Sequence, residues 1–184
     1  MWKSGKQEKR FNTLAAFGND VALEVPDQRL LCSRTARMKE WPPLNDAGDL
    51  PPGLHPATLA EVVARFGQGS SQRASVARRL ERIYSLVRGT GGLARFIIFG
   101  SFITAKAGPN DVDIFLLMDD AFDVSKVTGE AAILFDHLAA QNYEGASVFW
   151  LRRAGALGGE QAAIEDWQIK RDGTRRGLVE VKAP

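Results

Sequence analysis

The chain has 184 residues, 45% of them hydrophobic and 25% charged, and a formal net charge of +2. That balance is ordinary for a globular protein and unlike a disordered or membrane chain, and the length suits one domain of roughly 100 to 150 residues plus a tail. The single cysteine, Cys32, has no partner for an intramolecular disulfide, and no repeated Cys/His spacing marks a structural zinc site, so a reducing cytoplasm fits best.

The N-terminus opens on Lys3, Lys6, Lys9 and Arg10, but the apolar stretch that follows is broken by Asn12, Asn19, Asp20 and Glu24, which argues against a signal peptide. No later run is long enough to span a bilayer, and no membrane partner is expected. Residues 1–49 lack a sustained period and run into Trp41-Pro42-Pro43 and Asp49-Leu50-Pro51-Pro52-Gly53. They are expected to form an N-terminal arm, with one short strand at Val21 to Val25, ahead of a domain over 50–184.

Thr58 is placed to cap a short helix ending near Phe66, and Gly67 to Ser71 breaks the chain. The spacing of Val76, Leu80, Ile83, Tyr84 and Val87 predicts a longer helix from about Arg73 to Arg88, with Arg78, Arg79 and Arg82 off the apolar stripe. Arg95 to Phe99 and Val112 to Leu117 are short apolar runs suited to buried strands. Thr128 to Gln141 reads as an amphipathic helix with Ala131, Leu134, Phe135 and Leu138 on one face, and Ala146 to Leu151 as a third strand. Trp167 to Arg171 and Gly177 to Val181 read as a C-terminal β-hairpin turning at Asp172-Gly173.

Read by segment, the charges separate. Arg65 to Lys106 holds eight basic residues against one acid, and Asp111 to Glu144 holds eight acids against one base. Two readings stand: solvated helix faces that complement each other, or a basic wall beside an acidic strand, a suitable place for a polyphosphate.

Gly100-Ser101 closes the first buried strand, where glycine lets the backbone approach a ligand and the Ser101 hydroxyl and N–H groups can meet phosphate oxygens. Nine residues further, Asp111-Val112-Asp113-Ile114 puts two carboxylates on one strand face, with Cβ atoms roughly 7 Å apart. Such a pair would repel if left dry, whereas Mg²⁺ takes one or two protein carboxylates and completes its shell with water and phosphates. Thr104 and Lys106, on the connection between the two motifs, are further candidates for contact with phosphate.

The string Phe99-Gly100-Ser101-Phe102-Ile103-Thr104-Ala105-Lys106, followed by Pro109-Asn110-Asp111-Val112-Asp113, resembles minimal nucleotidyltransferase-like proteins of the DNA polymerase beta superfamily, with the likeness extending from Leu50 to Val181. The resemblance implies an α/β (α+β) nucleotidyltransferase fold, a small mixed β-sheet flanked by helices with the C-terminal β-hairpin. It implies a nucleoside triphosphate held by Gly100, Ser101, Thr104 and Lys106, and Mg²⁺ or Mn²⁺ held by Asp111 and Asp113 as catalytic and metal-binding residues. Members move a nucleotidyl group onto a hydroxyl, which here would belong to a protein, a small molecule or RNA.

The chain departs from that pattern at one place. A third carboxylate is expected on the neighbouring strand, where Ser147 stands. Glu144 lies near the strand's start, Asp119 is too far along its own strand, and Glu165 and Glu180 have no spacing in their favour. A catalytically degenerate nucleotide-binding module, paired with a cognate toxin or part of a phage-defence system, is therefore the alternative. His55 and His137 have no partner at metal-ligand spacing and are expected in a turn and on a helix surface. Lys170, Arg171, Arg175 and Arg176 are expected at a solvated hairpin tip, with contact to a nucleic-acid backbone or a phosphorylated acceptor as the second reading.

Overall fold

Apolar alternation and helical stripes set the architecture in the computed structural model, which describes residues 39–183. Five strands, β1 (Gly53–Thr58), β2 (Leu93–Phe99), β3 (Val112–Met118), β4 (Ala146–Arg152) and β5 (Gly177–Lys182), form one mixed sheet in the order β1-β5-β2-β3-β4. β2 runs antiparallel to β3 and β5, while β4 is parallel to β3 and β1 is parallel to β5. With helices on its faces the domain is α+β.

One face is covered by α1 (Leu59–Phe66) and α2 (Ser71–Gly89). α1 starts in a capping box: the Glu61 N–H donates to Thr58 Oγ1 at 3.3 Å and the Thr58 N–H donates to Glu61 Oε2 at 2.7 Å, which satisfies two donors otherwise orphaned at the helix start. Val62 and Phe66 of α1 and Val76, Leu80, Ile83 and Val87 of α2 pack on Phe96, Ile98, Ile114, Leu116 and Val148. The opposite face buries Ile97, Phe99, Phe115, Leu117 and Leu178 under Ile164 of the short helix α5 (Glu160–Asp166), which follows α3 (Glu130–Ile133) and α4 (His137–Ala139). Each fully buried side chain of this size contributes about 1.5–3 kcal/mol, so a face swap in β3 would be costly and its register is firmly set.

Three expectations change. The predicted helix over Thr128 to Gln141 is broken into α3, α4 and one π-type turn over Ala140–Glu144. Asp136 starts a new helix by accepting the Ala139 N–H at 2.9 Å, and the Phe135 carbonyl turns outward to accept Trp150 Nε1–H at 3.0 Å. Leu134 stays fully buried whereas Leu138 is 68% exposed.

The C-terminal β-hairpin is also revised. Only Ile169 and Arg175 bridge, because Asp172 accepts both the Thr174 N–H and its hydroxyl and tightens the turn, while β5 leaves its expected partner and inserts between β1 and β2. Its continuous burial from Gly177 to Val181 is that of a strand flanked on both sides. Gly177 is needed there: a Cβ would lie 2.4 Å from the Pro51 carbonyl oxygen.

The packed unit begins before Leu50. Trp41 meets Phe66 edge-on at 5.1 Å, Leu44 packs on the core, and Asp49 is 8% exposed and paired with Lys170 at 2.8 Å. The prolines at 42–43 and 51–52 therefore shape a packed segment and not a loose arm. The predicted strand at Val21 to Val25 and Cys32 lie outside the described residues.

Candidate functional site

β2 ends at Phe99, and Gly100 turns the chain into a single 3₁₀ turn over Ser101–Ile103. Gly100 has φ 77° and ψ −163°, a backbone region open almost only to glycine. The missing side chain matters as much as the backbone: a Cβ at Gly100 would sit 1.7 Å from Asp113 Oδ2. The Gly-Ser turn and the acidic strand are thus in van der Waals contact, with the Asp113 carboxylate occupying the room a side chain would take.

Asp113 pairs across the sheet with Phe99 on one side and Ser147 on the other. Its side chain shares a face with Phe115 and Leu117, and Asp111, just before the strand, is close enough to act on it electrostatically. Burial and the Asp111 charge push the Asp113 carboxyl up to about 6, against the opposing pull of Arg176, the Ser147 hydroxyl and Lys106. Among the described residues no group of three or more His, Cys, Asp and Glu side chains is placed to hold a metal ion, so the acidic part of the site is a pair.

Ser147 lies where the third carboxylate was expected, on the face of Phe149 and Leu151, with Ala146, Val148 and Trp150 opposite. Its hydroxyl is close enough to favour the ionised Asp113 carboxylate, and it receives a long contact of 3.5 Å from Gln141 Nε2. Among the described residues, the acids weighed for that place are engaged elsewhere. Glu144 accepts from Arg82 Nη1 at 2.6 and 2.9 Å on the helix side, Glu180 is held by Arg95 and Lys182, and Asp119 faces Arg153 at the other end of β3.

The loop between the motifs is held from below. Arg73 is buried, and its guanidinium donates to the carbonyls of Phe66 at 2.7 Å, Phe102 at 3.0 Å, Thr104 at 2.6 Å and Lys106 at 2.5 Å. The Thr104 hydroxyl donates to the Ser101 carbonyl at 2.8 Å and accepts the Lys106 N–H at 3.2 Å. Thr104 therefore closes the turn, while Lys106 is exposed and directs its charge toward Asp113. Sequence reasoning missed Arg73, although a lone arginine at a helix start beside a glycine break was a usable signal.

The acidic pair adjoins an open cleft of about 660 Å³ that the sequence did not foretell. Arg176, expected at a solvated tip, instead lies in this cleft, with its guanidinium 5.2 Å from the centre of the Phe99 ring. His137, expected on a helix surface, donates from Nδ1 to the Val148 carbonyl at 3.2 Å and stacks on Phe149. His55 lies in β1 and not in a turn, bonded to the Pro51 carbonyl at 2.8 Å. Of the basic block, Arg82 pairs with Glu130 and Glu144 of the acidic block, and Arg73 is held by backbone carbonyls.

The fold and site define an α+β domain with a mixed five-stranded sheet and a carboxylate pair set against a glycine turn, and no described helix is long and apolar enough to cross a membrane. The chain belongs to the family described as "Family of unknown function (DUF6932)", whose model matches residues 42–182. Neither a curated protein nor a solved structure matches it.

Proposed function

We propose that this is a nucleotidyltransferase-like domain that binds a nucleoside triphosphate with Mg²⁺ at the Gly100-Ser101 turn and the Asp111–Asp113 pair. The contact between Gly100 and the Asp113 carboxylate carries this reading, because it puts a turn able to approach phosphates directly against two hard oxygen ligands. The donor set fits the cation: two carboxylates, one of them costly to ionise alone, leave the rest of the shell to phosphates and water. Asp111 and Asp113 would hold the metal, which when bound neutralises charge on the carboxylates and phosphates. Ser101 and the turn amides would meet phosphate oxygens, and Lys106 would add a positive charge from the loop.

Such a domain serves transfer of a nucleotidyl group to a hydroxyl of a protein, a small molecule or RNA. One observation favours binding over rapid transfer: Ser147 stands beside Asp113, and Glu144, Glu180 and Asp119 are each committed to arginine. Loss of a positioned base costs roughly 10²- to 10⁴-fold in rate. A domain that binds nucleotide while turning over slowly suits a regulatory partner, a cognate toxin among them. The test is transfer of α-labelled phosphate from ATP, GTP, CTP or UTP to copurifying protein or RNA. The wild type is expected to be slow, and Ser147→Asp is expected to raise the rate about tenfold or more. Fast wild-type transfer unaltered by Ser147→Asp would contradict the two-carboxylate account.

A further inference from the structure

The cleft beside Asp113 has a built floor. Phe99 and Phe149 each lie 4.7 Å from Trp167 by ring centroids, in tilted stacks, and Phe149 and Trp167 remain partly open to solvent. Arg176 enters from the chain segment leading into β5, above the Phe99 ring, and its Nε is buried with no hydrogen-bond partner among the described residues. Gln141 and Ser147 supply polar atoms at the β4 edge.

A buried guanidinium N–H without an acceptor is a cost that folding does not recover by itself. The neighbouring charges leave it uncompensated. Asp49 is already paired with Lys170 at 2.8 Å, and Asp172 is turned onto Thr174. Asp113 pulls on Arg176 electrostatically without accepting a hydrogen bond from its Nε. The walls hold Arg176, Arg171 and Lys170, the last already paired with Asp49, beside the carboxylates of Asp113 and Asp172. The volume lies within the range of small-molecule sites, and an aromatic floor with one planar cation suits a flat ring that carries an anion.

We infer that this cleft is a binding pocket for a planar aromatic ring bearing a phosphate, with the phosphate on Arg176 and the ring against Phe149 and Trp167. It requires no metal and stands apart from the triphosphate reading, with which it shares the wall formed by Asp113 and Ser147. Its position one strand from the Gly-Ser turn would let it receive a second, phosphorylated molecule next to a bound nucleotide.

AMP in the absence of divalent cations is the probe, with binding followed by calorimetry on the full chain and inorganic phosphate as the control. Wild type is expected to bind AMP more tightly than phosphate. Arg176→Ala should weaken AMP binding about tenfold to a hundredfold, the usual effect of losing a charge-assisted pair. Arg176→Lys, which keeps the charge and the chain length, should fall short of wild type because it lacks Nε–H and the planar fork. Trp167→Leu should weaken AMP but leave inorganic phosphate unchanged. The inference is overturned if wild type fails to bind AMP at millimolar concentration, or if both Arg176 variants bind as wild type does. It is equally overturned if Trp167→Leu weakens inorganic phosphate as much as AMP, which would show that the ring makes no contact with the aromatic floor.

Discussion

Asp113 is a carboxylate held where its ionised form is costly, and that cost is measurable. In the folded chain burial and Asp111 raise its carboxyl to about 6, whereas an unfolded aspartate titrates near 3.9. Between these values the folded state binds more protons than the unfolded one, so this group's contribution to stability falls as pH rises from about 4 to about 6. Above pH 6 the deficit reaches about 1–3 kcal/mol. Without divalent cations, Asp113→Asn should therefore be more stable than wild type at pH 7.5 by up to that amount, and the two should converge near pH 4. Urea denaturation at the two pH values checks this, and parallel profiles would show that the carboxylate is not strained. Cation binding needs the ionised form, so affinity for Mg²⁺ should decline as pH drops through 6. Strand alternation in the sequence was enough to place Asp113 and Ser147 on one face. The direction of Arg176 was not legible, since it depends on where β5 enters the sheet, a long-range pairing that no local pattern encodes.

At the scale of elements, Arg73 is the strut of the Gly-Ser loop. Its guanidinium gathers carbonyls from the end of α1 and from residues 102, 104 and 106, so one side chain sets the path between the two motifs. Arg73→Ala leaves those acceptors without a donor and should cost about 2–4 kcal/mol. Hydrogen exchange should rise across residues 102–106 more than in β3. Uniform protection across both segments would show that the loop is held by other means. The elements most legible in the sequence were those with strong local signals: Thr58 and Glu61 box the start of α1, and the apolar runs of β2, β3 and β4 were found within two residues of their ends. β1 was missed because Pro56 and Gly53 read as a loop, yet an edge strand tolerates proline since no second neighbour needs its N–H. The segment over 128–141 kept its buried Leu134 but lost its continuity to Asp136 and Trp150, side chains whose partners lie outside the helical period.

For the whole molecule, the sheet does two jobs with its two faces. One is sealed by α1 and α2 and provides the main core. Among the described residues the other is covered in part by α5, and the end beyond α5 presents the carboxylate pair and the aromatic cleft. Residues 39–49 belong to this unit through Trp41, Asp49 and the Ala105 N–H, which donates to the Gly48 carbonyl at 2.8 Å. A fragment starting at Leu50 should consequently be less stable than one starting at Lys39 by about 2–4 kcal/mol, the scale of losing a packed aromatic and a partly buried ion pair. Equal urea midpoints for the two fragments would return residues 39–49 to the status of an arm.

Calorimetric titration of the full chain with ATP, GTP, CTP and UTP, with and without Mg²⁺, tests the central claim most directly. Wild type should bind at least one of these nucleotides in a Mg²⁺-dependent manner, and Asp111→Asn/Asp113→Asn should lose that dependence and most of the affinity. Binding by the double variant equal to wild type with Mg²⁺ present, or no binding of any of the four by wild type, would contradict the assignment of the Gly100-Ser101 turn and the carboxylate pair as a nucleotide site.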